Sequence, residues 1–356
     1  MKDKVISGLQ QVGIGVKDAN KSWQWYKNVF GVDIPVVADT GVAERMLPYT
    51  GGKPQPRYAI LAINLQGGGG MEIWEPQGRE LNYIKDEARL GDYGIFVAKI
   101  KAKDVDLAYK EFKNKGIKLM TGVTIAPDGK KHFFLQDPWN NLFEICQDVN
   151  TFTDINYTTG GTHGAIIGVS DMDKTLQFYK AIMNYDVIEY DKVGVFEDLK
   201  GLTGCENKVR RVLVSPSTIA DGPLGMLYGY SALEFIQVLD SFDSPAPKKI
   251  YEGRMWGDPG FIHICFDIRN MNAVEEDVKS IGSKFVCDSG ADFDMGDANG
   301  HFTYIEDPDG TLIEFVETFK VPILKKLGLA LNLKNRDPHK NLYPFLIKAL
   351  KFMRKK

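Results

Sequence analysis

The chain has 356 residues, enough for two or three domains, and its 44% hydrophobic and 26% charged residues are typical of a folded globular protein. This composition excludes a disordered or collagen-like chain, and no apolar run approaches the roughly 20 residues of a transmembrane helix. The net charge of −3 conceals an asymmetry, because residues 321–356 contain ten Lys and Arg and one Asp. A strongly basic tail therefore follows an acidic body.

The four cysteines lie far apart, and no two of them form a CxxC pair; they are Cys146, Cys205, Cys265 and Cys287. This distribution argues against a disulfide scaffold and against a zinc ribbon, and it indicates a reducing compartment. The first residues contain no apolar segment of signal-peptide length. We therefore expect a cytoplasmic protein.

Two internal repeats relate the halves of the chain. Residues 16–27 match residues 169–180, with Asp, Lys, Gln, Tyr and Lys recurring in step. Residues 135–145 match residues 305–315, and both copies place an Asp-Pro turn before a strand with a central Glu. Repeats of this kind indicate that the same supersecondary unit is used more than once.

The hydrophobic patterns predict the element order βαβββ in each unit. In the first unit a strand at 12–16 is followed by Asp18 as helix cap, a helix with Ala19, Trp23, Tyr26 and Phe30 on one face, and strands at 34–38, 58–65 and 71–74. The second unit has a strand at 94–100, a helix near 104–115, and strands near 118–125 and 132–146. The third has a strand at 165–169 and a helix with Met172, Leu176, Tyr179 and Met183, and the fourth has a strand at 263–268 and a helix with Met271, Val274, Val278 and Ile281.

The sequence thus predicts four units in two halves, followed by a tail. Residues 1–150 hold a first pair of units at about 8–76 and 92–148, residues 158–320 hold a second pair at about 162–240 and 258–318, and residues 321–356 form the cationic amphipathic tail.

The two turn motifs carry a family resemblance. Asp137-Pro138-Trp139-Asn140 and Asp307-Pro308-Asp309-Gly310 each precede a final strand with a central Glu. Four such units resemble the vicinal-oxygen-chelate superfamily, which includes glyoxalase I, extradiol dioxygenases, methylmalonyl-CoA epimerase and bleomycin-resistance proteins. The resemblance covers about residues 1–320. It implies an α+β fold with the units paired into two cupped mixed sheets, and one divalent metal ion with no organic cofactor.

In this superfamily the metal ligands come from the first and last strands of paired units. Each last strand here has one Glu between apolar residues, namely Glu72, Glu144, Glu234 and Glu314. A carboxylate inside such a strand is costly unless it is paired, bound to metal or facing solvent. In the first strands the matching positions are Gln11 and His263, whereas the second and third units have apolar residues or Gly there.

The first and fourth units together supply a set that resembles the ligands of glyoxalase I, namely Gln11, Glu72, His263 and Glu314. Two carboxylates, an amide oxygen and an imidazole suit a divalent ion and leave positions for substrate. The resemblance implies a lyase or isomerase that acts on a small α-oxygenated carbonyl substrate through a metal-stabilised enediolate. Glu314 would be the catalytic base and Glu72 its counterpart. No glutathione-binding signature is evident.

An alternative pairing joins units that are neighbours in the sequence. Its metal set is His163, Glu234, His263 and Glu314, which suits the iron of an extradiol ring-cleaving dioxygenase. His163 is one residue out of register, so this set needs a bulge at Gly160-Gly161 or Gly164. A second alternative is a non-catalytic small-molecule binding protein of the bleomycin-resistance type.

Further side chains are candidates for the pocket, namely Tyr304, His301 and Trp256, and three arginines are candidate anion anchors, namely Arg210, Arg211 and Arg254. We expect a small-molecule substrate and no nucleic acid, because the body is acidic and the basic residues do not form a motif with interleaved aromatic residues. A monomer or a homodimer is compatible with four units in one chain.

The tail contains two cationic amphipathic stretches, at 321–329 and 344–356. The favoured interpretation is a helix packed on the acidic body. The alternative is a helix lying on an anionic membrane surface.

Overall fold

The computed structural model describes residues 4–240, 245–291, 293–294, 299–324 and 328–355. It has an α+β fold with two curled mixed sheets and short helices, as the sequence predicts. Within these ranges, no helix is both long enough and apolar enough to cross a bilayer.

Each unit begins with a strand and a helix, and three strands follow in the first and third units, whereas four follow in the second and fourth, where two strands of only two residues each take the place of one. The first unit contains β1 (Val5–Gly15), α1 (Ala19–Phe30), β2 (Ile34–Ala43), β3 (Gln55–Ile63) and β4 (Gly70–Pro76). The second contains β5 (Gly94–Ala102), α2 (Val105–Asn114), β6 (Lys118–Leu119), β7 (Thr124–Ile125), β8 (Lys131–Gln136) and β9 (Leu142–Gln147). The third contains β10 (Thr159–Gly168), α3 (Met172–Met183), β11 (Val187–Gly194), β12 (Lys208–Ser215), α4 (Gly225–Tyr228) and β13 (Ala232–Asp240). The fourth contains β14 (Gly260–Arg269), α5 (Met271–Ser280), β15 (Cys287–Asp288), β16 (Phe293–Asp294), β17 (Asn299–Glu306) and β18 (Leu312–Leu324). The tail adds β19 (Leu329–Asn332) and α6 (Pro344–Lys348), which continues as a 3-10 turn at Ala349–Met353.

The units pair outer with outer and inner with inner. The first sheet has the strand order β15-β17-β18-β14-β1-β4-β3-β2, with β1 antiparallel to β14. The second has the order β11-β12-β13-β10-β5-β9-β8-β6, with β5 antiparallel to β10. Each sheet therefore draws on both halves of the sequence, and the boundary near residue 150 separates two repeats rather than two closed sheets.

The helix after each first strand begins at a capping residue in the same place. Asp18, Asp104 and Asp171 each accept a hydrogen bond from the backbone N–H three residues on, and Asn270 does the same in the fourth unit. A side-chain oxygen at this position satisfies one of the free N–H groups of the first turn. The four capping residues thus fix where the chain leaves the first strand of each unit and enters the helix.

The two sequence repeats contact each other in space. Tyr26 of α1 donates its hydroxyl to Asp137 at 2.6 Å, and Tyr179 of α3 donates to Asp307 at 3.2 Å. The same carboxylates accept backbone N–H groups of their own Asp-Pro turns. Each repeated tyrosine thus joins one unit to the turn of the next unit.

The tail packs on the body through its apolar side chains, but its first stretch is not helical. Residues up to Leu324 extend β18, and β19 pairs with that extension, so the expectation of a helix at 321–329 is wrong. Farther on, Ile347, Leu350 and Met353 are buried against Leu65 and Leu227 of the body. The alternative, contact of the tail with a membrane surface, is not tested by this packing.

Candidate metal centre

Four side chains predicted from the outer pairing converge on the concave face of the first sheet. Glu72, His263 and Glu314 place one ligand atom each within 4.8 Å of one another, and all three residues are buried. Gln11 on β1 lies beside them, with its Nε2 3.2 Å from Glu72 and 3.4 Å from Glu314. The geometry brings all four together from β1, β4, β14 and β18.

The spacing of these atoms suits one small cation. His263 Nε2 lies 3.2 Å from Glu72 Oε2 and 3.1 Å from Glu314 Oε2. Two ligands at about 2.1 Å from a metal and at right angles are roughly 3 Å apart, which is close to these separations. The donor set of two carboxylates, one imidazole and one amide suits a divalent ion.

Buried polar atoms without partners point to the same position. Gln11 Oε1 and both ring nitrogens of His263 are buried and lack a well-formed hydrogen bond. Because the amide oxygen and nitrogen of Gln are nearly indistinguishable in shape, a half-turn of the Gln11 amide would direct Oε1 at the carboxylates. A metal ion would satisfy Gln11 Oε1 and His263 Nε2, so the residues present fit the group that the family implies.

Gly13 makes room for the histidine, and sequence reasoning missed it. A Cβ atom on Gly13 would lie 2.3 Å from Cε1 of the His263 ring, closer than packed atoms come. Gly13 is opposite both His263 on β14 and Glu72 on β4. The available signal was a glycine two residues after Gln11, on the same face of the strand.

The carboxylates set the electrostatics of the cluster. Burial lowers the pKa of His263, but Glu314 and Glu72 outweigh it and raise that pKa to about 9. Burial raises the pKa of Tyr304 well above its ordinary value, and Glu314 and Glu72 raise it further. Tyr304 therefore remains a neutral phenol beside the cluster.

The three predicted pocket residues lie in different places. Tyr304 is buried with its ring edge-on to His263, the centroids being 5.4 Å apart. Trp256 is buried against Trp74, with the ring centroids 4.1 Å apart. His301 borders the cavity above the cluster and is held by Asp288 at 2.6 Å.

The alternative metal set is not brought together. A register shift does occur between Thr159 and Thr162, as that set required. However, His163 and Glu234 belong to the second sheet, whereas His263 and Glu314 belong to the first. His163 faces Asp148 at 3.5 Å, and burial lowers its pKa.

The second sheet holds a lysine ammonium between its own pair of carboxylates. Lys99 Nζ lies 2.5 Å from Glu144 and 2.7 Å from Glu234, and all three side chains are buried. Lys99 is opposite Glu144 in the ladder, as Cys265 is opposite Glu314 in the first sheet. The lysine charge thus balances two carboxylates where the first sheet has its candidate metal centre.

The candidate anion anchors are occupied by internal partners. Arg211 is fully buried and pairs with Glu234 and with Asp198, the latter at 2.6 Å. Arg210 pairs with two aspartates on the surface. Arg254 packs on the Tyr251 ring at 4.1 Å and donates to backbone carbonyls. The expectation that Arg211 anchors a substrate anion is therefore wrong, because its guanidinium group is buried and already paired with two carboxylates of the protein.

His132 gives the second sheet a pH-dependent contribution to stability. Burial lowers its pKa, but hydrogen bonds to Asp198 and Glu144 outweigh it and raise the pKa from 6.5 to about 9. The stabilisation is fully present below the unfolded pKa of 6.5 and is lost as the pH rises through 9. A shift of this size corresponds to about 3 kcal/mol.

We therefore expect the stability advantage of the wild type over His132→Gln to shrink by about 3 kcal/mol between pH 6 and pH 10. Urea unfolding of both proteins at several pH values measures it. A difference that stays constant across this range would show that folding does not raise the pKa of His132.

Comparison with known proteins shows the family. Residues 8–145 and 155–315 match the Glyoxalase/Bleomycin resistance protein/Dioxygenase superfamily. Glyoxalase I from Zea mays is similar in structure, with 14% identity over 88% of this chain and 92% of that chain and a TM-score of 0.53. A putative dioxygenase from Bacillus subtilis has 15% identity over 88% of this chain and 86% of that chain, with a TM-score of 0.56. No curated protein sequence matches. At these identities the structures show the fold alone, while the match to the family covers most of the sequence, and the chain therefore belongs to the Glyoxalase/Bleomycin resistance protein/Dioxygenase superfamily.

Proposed function

We propose that the protein is a metal-dependent, glyoxalase-like lyase or isomerase that acts on a small α-oxygenated carbonyl substrate. The observation that carries this proposal is the convergence of Gln11, Glu72, His263 and Glu314 at the base of one cavity. These four residues would hold one divalent ion, and no organic cofactor enters the proposal. When bound, the ion would act as a Lewis acid that stabilises the negative charge of an enediolate.

The burial of the four side chains separates their roles. Gln11, Glu72 and Glu314 border the cavity, whereas His263 is fully buried behind them. His263 therefore cannot reach a carbon atom of the substrate and serves to hold the ion. A carboxylate at the cavity is a suitable general base, and we assign that role to Glu314, with Glu72 its counterpart.

The proposed reaction needs no oxidant or further reactant. Glu314 removes the proton from the carbon that bears the hydroxyl group, and the electron pair of that C–H bond moves toward the carbonyl, giving the enediolate. The hydroxyl proton moves to the former carbonyl oxygen, and Glu314 returns its proton to the neighbouring carbon, so that the hydroxyl and carbonyl positions are exchanged. Tyr304, a neutral phenol beside the cluster, helps to keep the site closed to water.

Hydrogen exchange tests the proposal without knowledge of the natural substrate. Wild-type protein with bound metal is expected to incorporate deuterium from D₂O at the hydroxyl-bearing carbon of α-hydroxyketones, followed by NMR. Glu314→Gln is expected to lose this exchange by at least about 10²-fold, because the amide cannot accept the proton.

Glu144→Gln is the control, since Glu144 holds the corresponding place in the second sheet, and it should exchange like the wild type. Metal content is measured on every sample. Unchanged exchange in Glu314→Gln with its metal retained would exclude Glu314 as the base. No exchange in metal-loaded wild type would favour a binding protein.

The dioxygenase alternative has no supporting geometry in the described part of the chain. Its iron needs two histidines and one carboxylate, and the described cluster has one histidine and two carboxylates. We also propose a cytoplasmic location, supported by four cysteines that are all unpaired, and a monomer or homodimer.

A further inference from the structure

The cavity above the cluster is long and mostly apolar. Its floor is the concave face of the first sheet, where Ala59, Leu61 and Ile63 alternate along β3. On β18 the inward positions run from Glu314 through Val316 and Thr318 to Lys320. Six residues of strand span about 20 Å, so the cavity leads from the carboxylates toward the end of the sheet.

The roof comes from parts of the chain outside the two units that supply the cluster. Leu224 directly precedes α4 of the third unit, Leu227 lies within α4, and Leu350 comes from the tail. All three are buried and belong to the same apolar cluster as Ile63. The tail thus forms one wall of the cavity that contains Glu72 and Glu314.

The charges around the cavity are few. Among the described lining residues the side chains that can be charged near neutral pH are two carboxylates of the cluster, His301 and Lys320, while burial raises the pKa of Tyr228 well above its ordinary value. His301 is held by Asp288, and Lys320 is exposed at the rim. A peptide thiol such as glutathione brings two carboxylates and an ammonium group, which would be desolvated here with too few partners.

We propose that the substrate is an α-oxygenated carbonyl compound with an uncharged, apolar body of about six carbons, such as a hexyl chain or a phenyl ring. The cavity of about 130 Å³ is comparable with an engineered cavity of about 150 Å³ that binds benzene. The reactive end faces Glu72 and Glu314, and the body lies between Leu61 below and Leu350 above. The assignment of the reactive end of the substrate rests on the proposed function, whereas the assignment of its apolar body does not.

Two ligand series separate these parts. The first is a set of 1-hydroxy-2-alkanones of increasing chain length, and the second is the matching set of 1-alkanols, which lack the α-oxygenated carbonyl. Binding to the full chain, with its metal, is measured by calorimetry. In both series the Kd is expected to fall about fourfold for each added methylene and to level off after about six.

Substitutions of the residues that line the cavity should change the chain length at which the affinity stops increasing. Leu350→Ala enlarges the cavity and should extend the rise by two or three methylenes, and Leu61→Phe should shorten it. Because one variant enlarges the cavity and the other narrows it, the test remains valid if one of them folds poorly. Leu213→Ala, a matched truncation in the second sheet, should leave the chain-length profile unchanged.

The outcomes distinguish the two proposals. A Kd independent of chain length in both series, or tighter binding of S-methylglutathione than of the longer hydroxyalkanones, would overturn the apolar substrate. Chain-length dependence in both series, without hydrogen exchange in the hydroxyalkanones, would support the cavity assignment and reject the isomerase. Exchange that is equally fast for hydroxyacetone and its longer homologues would support the isomerase and reject the apolar body.

Discussion

The wild type is expected to hold one metal ion per chain, and the Glu72→Ala variant is expected to lose it. Glu72 supplies one of the two carboxylates that surround His263, and Ala leaves the ion with one carboxylate, one imidazole and one amide. Even changes to residues that only support a ligand cost about 10–100-fold in metal affinity, so we expect the loss of a ligand to cost at least about 10²-fold. Elemental analysis after dialysis against a defined metal concentration measures the occupancy.

The matched control is Glu144→Gln in the second sheet, which should bind as much metal as the wild type. Its Glu is opposite Lys99 in the ladder, as Glu314 is opposite Cys265. If Glu72→Ala retained the full metal content while the wild type bound one ion, the ion would lie elsewhere. If the reconstituted wild type bound none, the proposed function would fail with it.

The expected stoichiometry is one ion and not two, although the fold repeats its sheet. In the second sheet the Lys99 ammonium already lies between Glu144 and Glu234 at 2.5 and 2.7 Å. A divalent ion there would have to displace a buried charge that is already neutralised. A second ion per chain would therefore contradict this assignment of Lys99.

The fold could be predicted from the sequence because the repeated residues form the contacts that join the units. Tyr26 and Asp137, taken from two different repeat motifs, form one hydrogen bond between units. The site could be predicted in part because strand alternation fixes which residues share a face. The set Gln11, Glu72, His263 and Glu314 combines that register with the ligand strands that the family resemblance implies, and its convergence is observed, while its role as a metal site is our proposal.

Other features depend on contacts between distant segments and could not be read from local patterns. Both pairings of the units satisfy the same periodicity, and only the contact of β1 with β14 decides between them. Gly13 matters because of a ring that arrives from a strand about 250 residues away, a separation set by the outer pairing. The first tail stretch begins as the end of β18, whose pairing with β19 overrides its helical pattern.

Lys99 was a signal that sequence reasoning passed over. A lysine in the middle of an apolar strand has to be paired once the strand is buried, and two of the four strand glutamates were its available partners. Glu144 and Glu234 raise the pKa of Lys99 well above its ordinary value, although burial lowers it. The ammonium is therefore charged, and it is held by Glu144 and Glu234 of different units, so it links the second unit to the third.

Replacement of Lys99 by Met is expected to destabilise the protein by about 3–5 kcal/mol, the range found when one partner of a buried ion pair is removed. Glu144 would keep His132, and Glu234 would keep Arg211, but two carboxylates would face each other without the cation between them. Urea unfolding at neutral pH measures the change in the free energy of unfolding.

Lys101 provides the matched control two residues farther along β5. It is equally buried, but its ammonium donates to the backbone carbonyls of Gly67 and Tyr228 rather than pairing with carboxylates. Lys101→Met should therefore cost less than Lys99→Met, because burial lowers the pKa of Lys101, so that its charged form is not favoured by folding as that of Lys99 is. Equal losses in the two variants would show that packing of the lysine stems, and not the two carboxylates, determines the effect.

Adding Glu144→Gln and Glu234→Gln to Lys99→Met tests the charge directly. If the uncompensated carboxylates cause the loss, the triple variant should be more stable than Lys99→Met, because neutral amides can share the buried site without repulsion. The metal content of the triple variant should stay at one ion per chain, since the first sheet is unchanged. A triple variant less stable than Lys99→Met would instead show that the pairing of the two carboxylates with His132 and Arg211 stabilises the protein more than their mutual repulsion destabilises it.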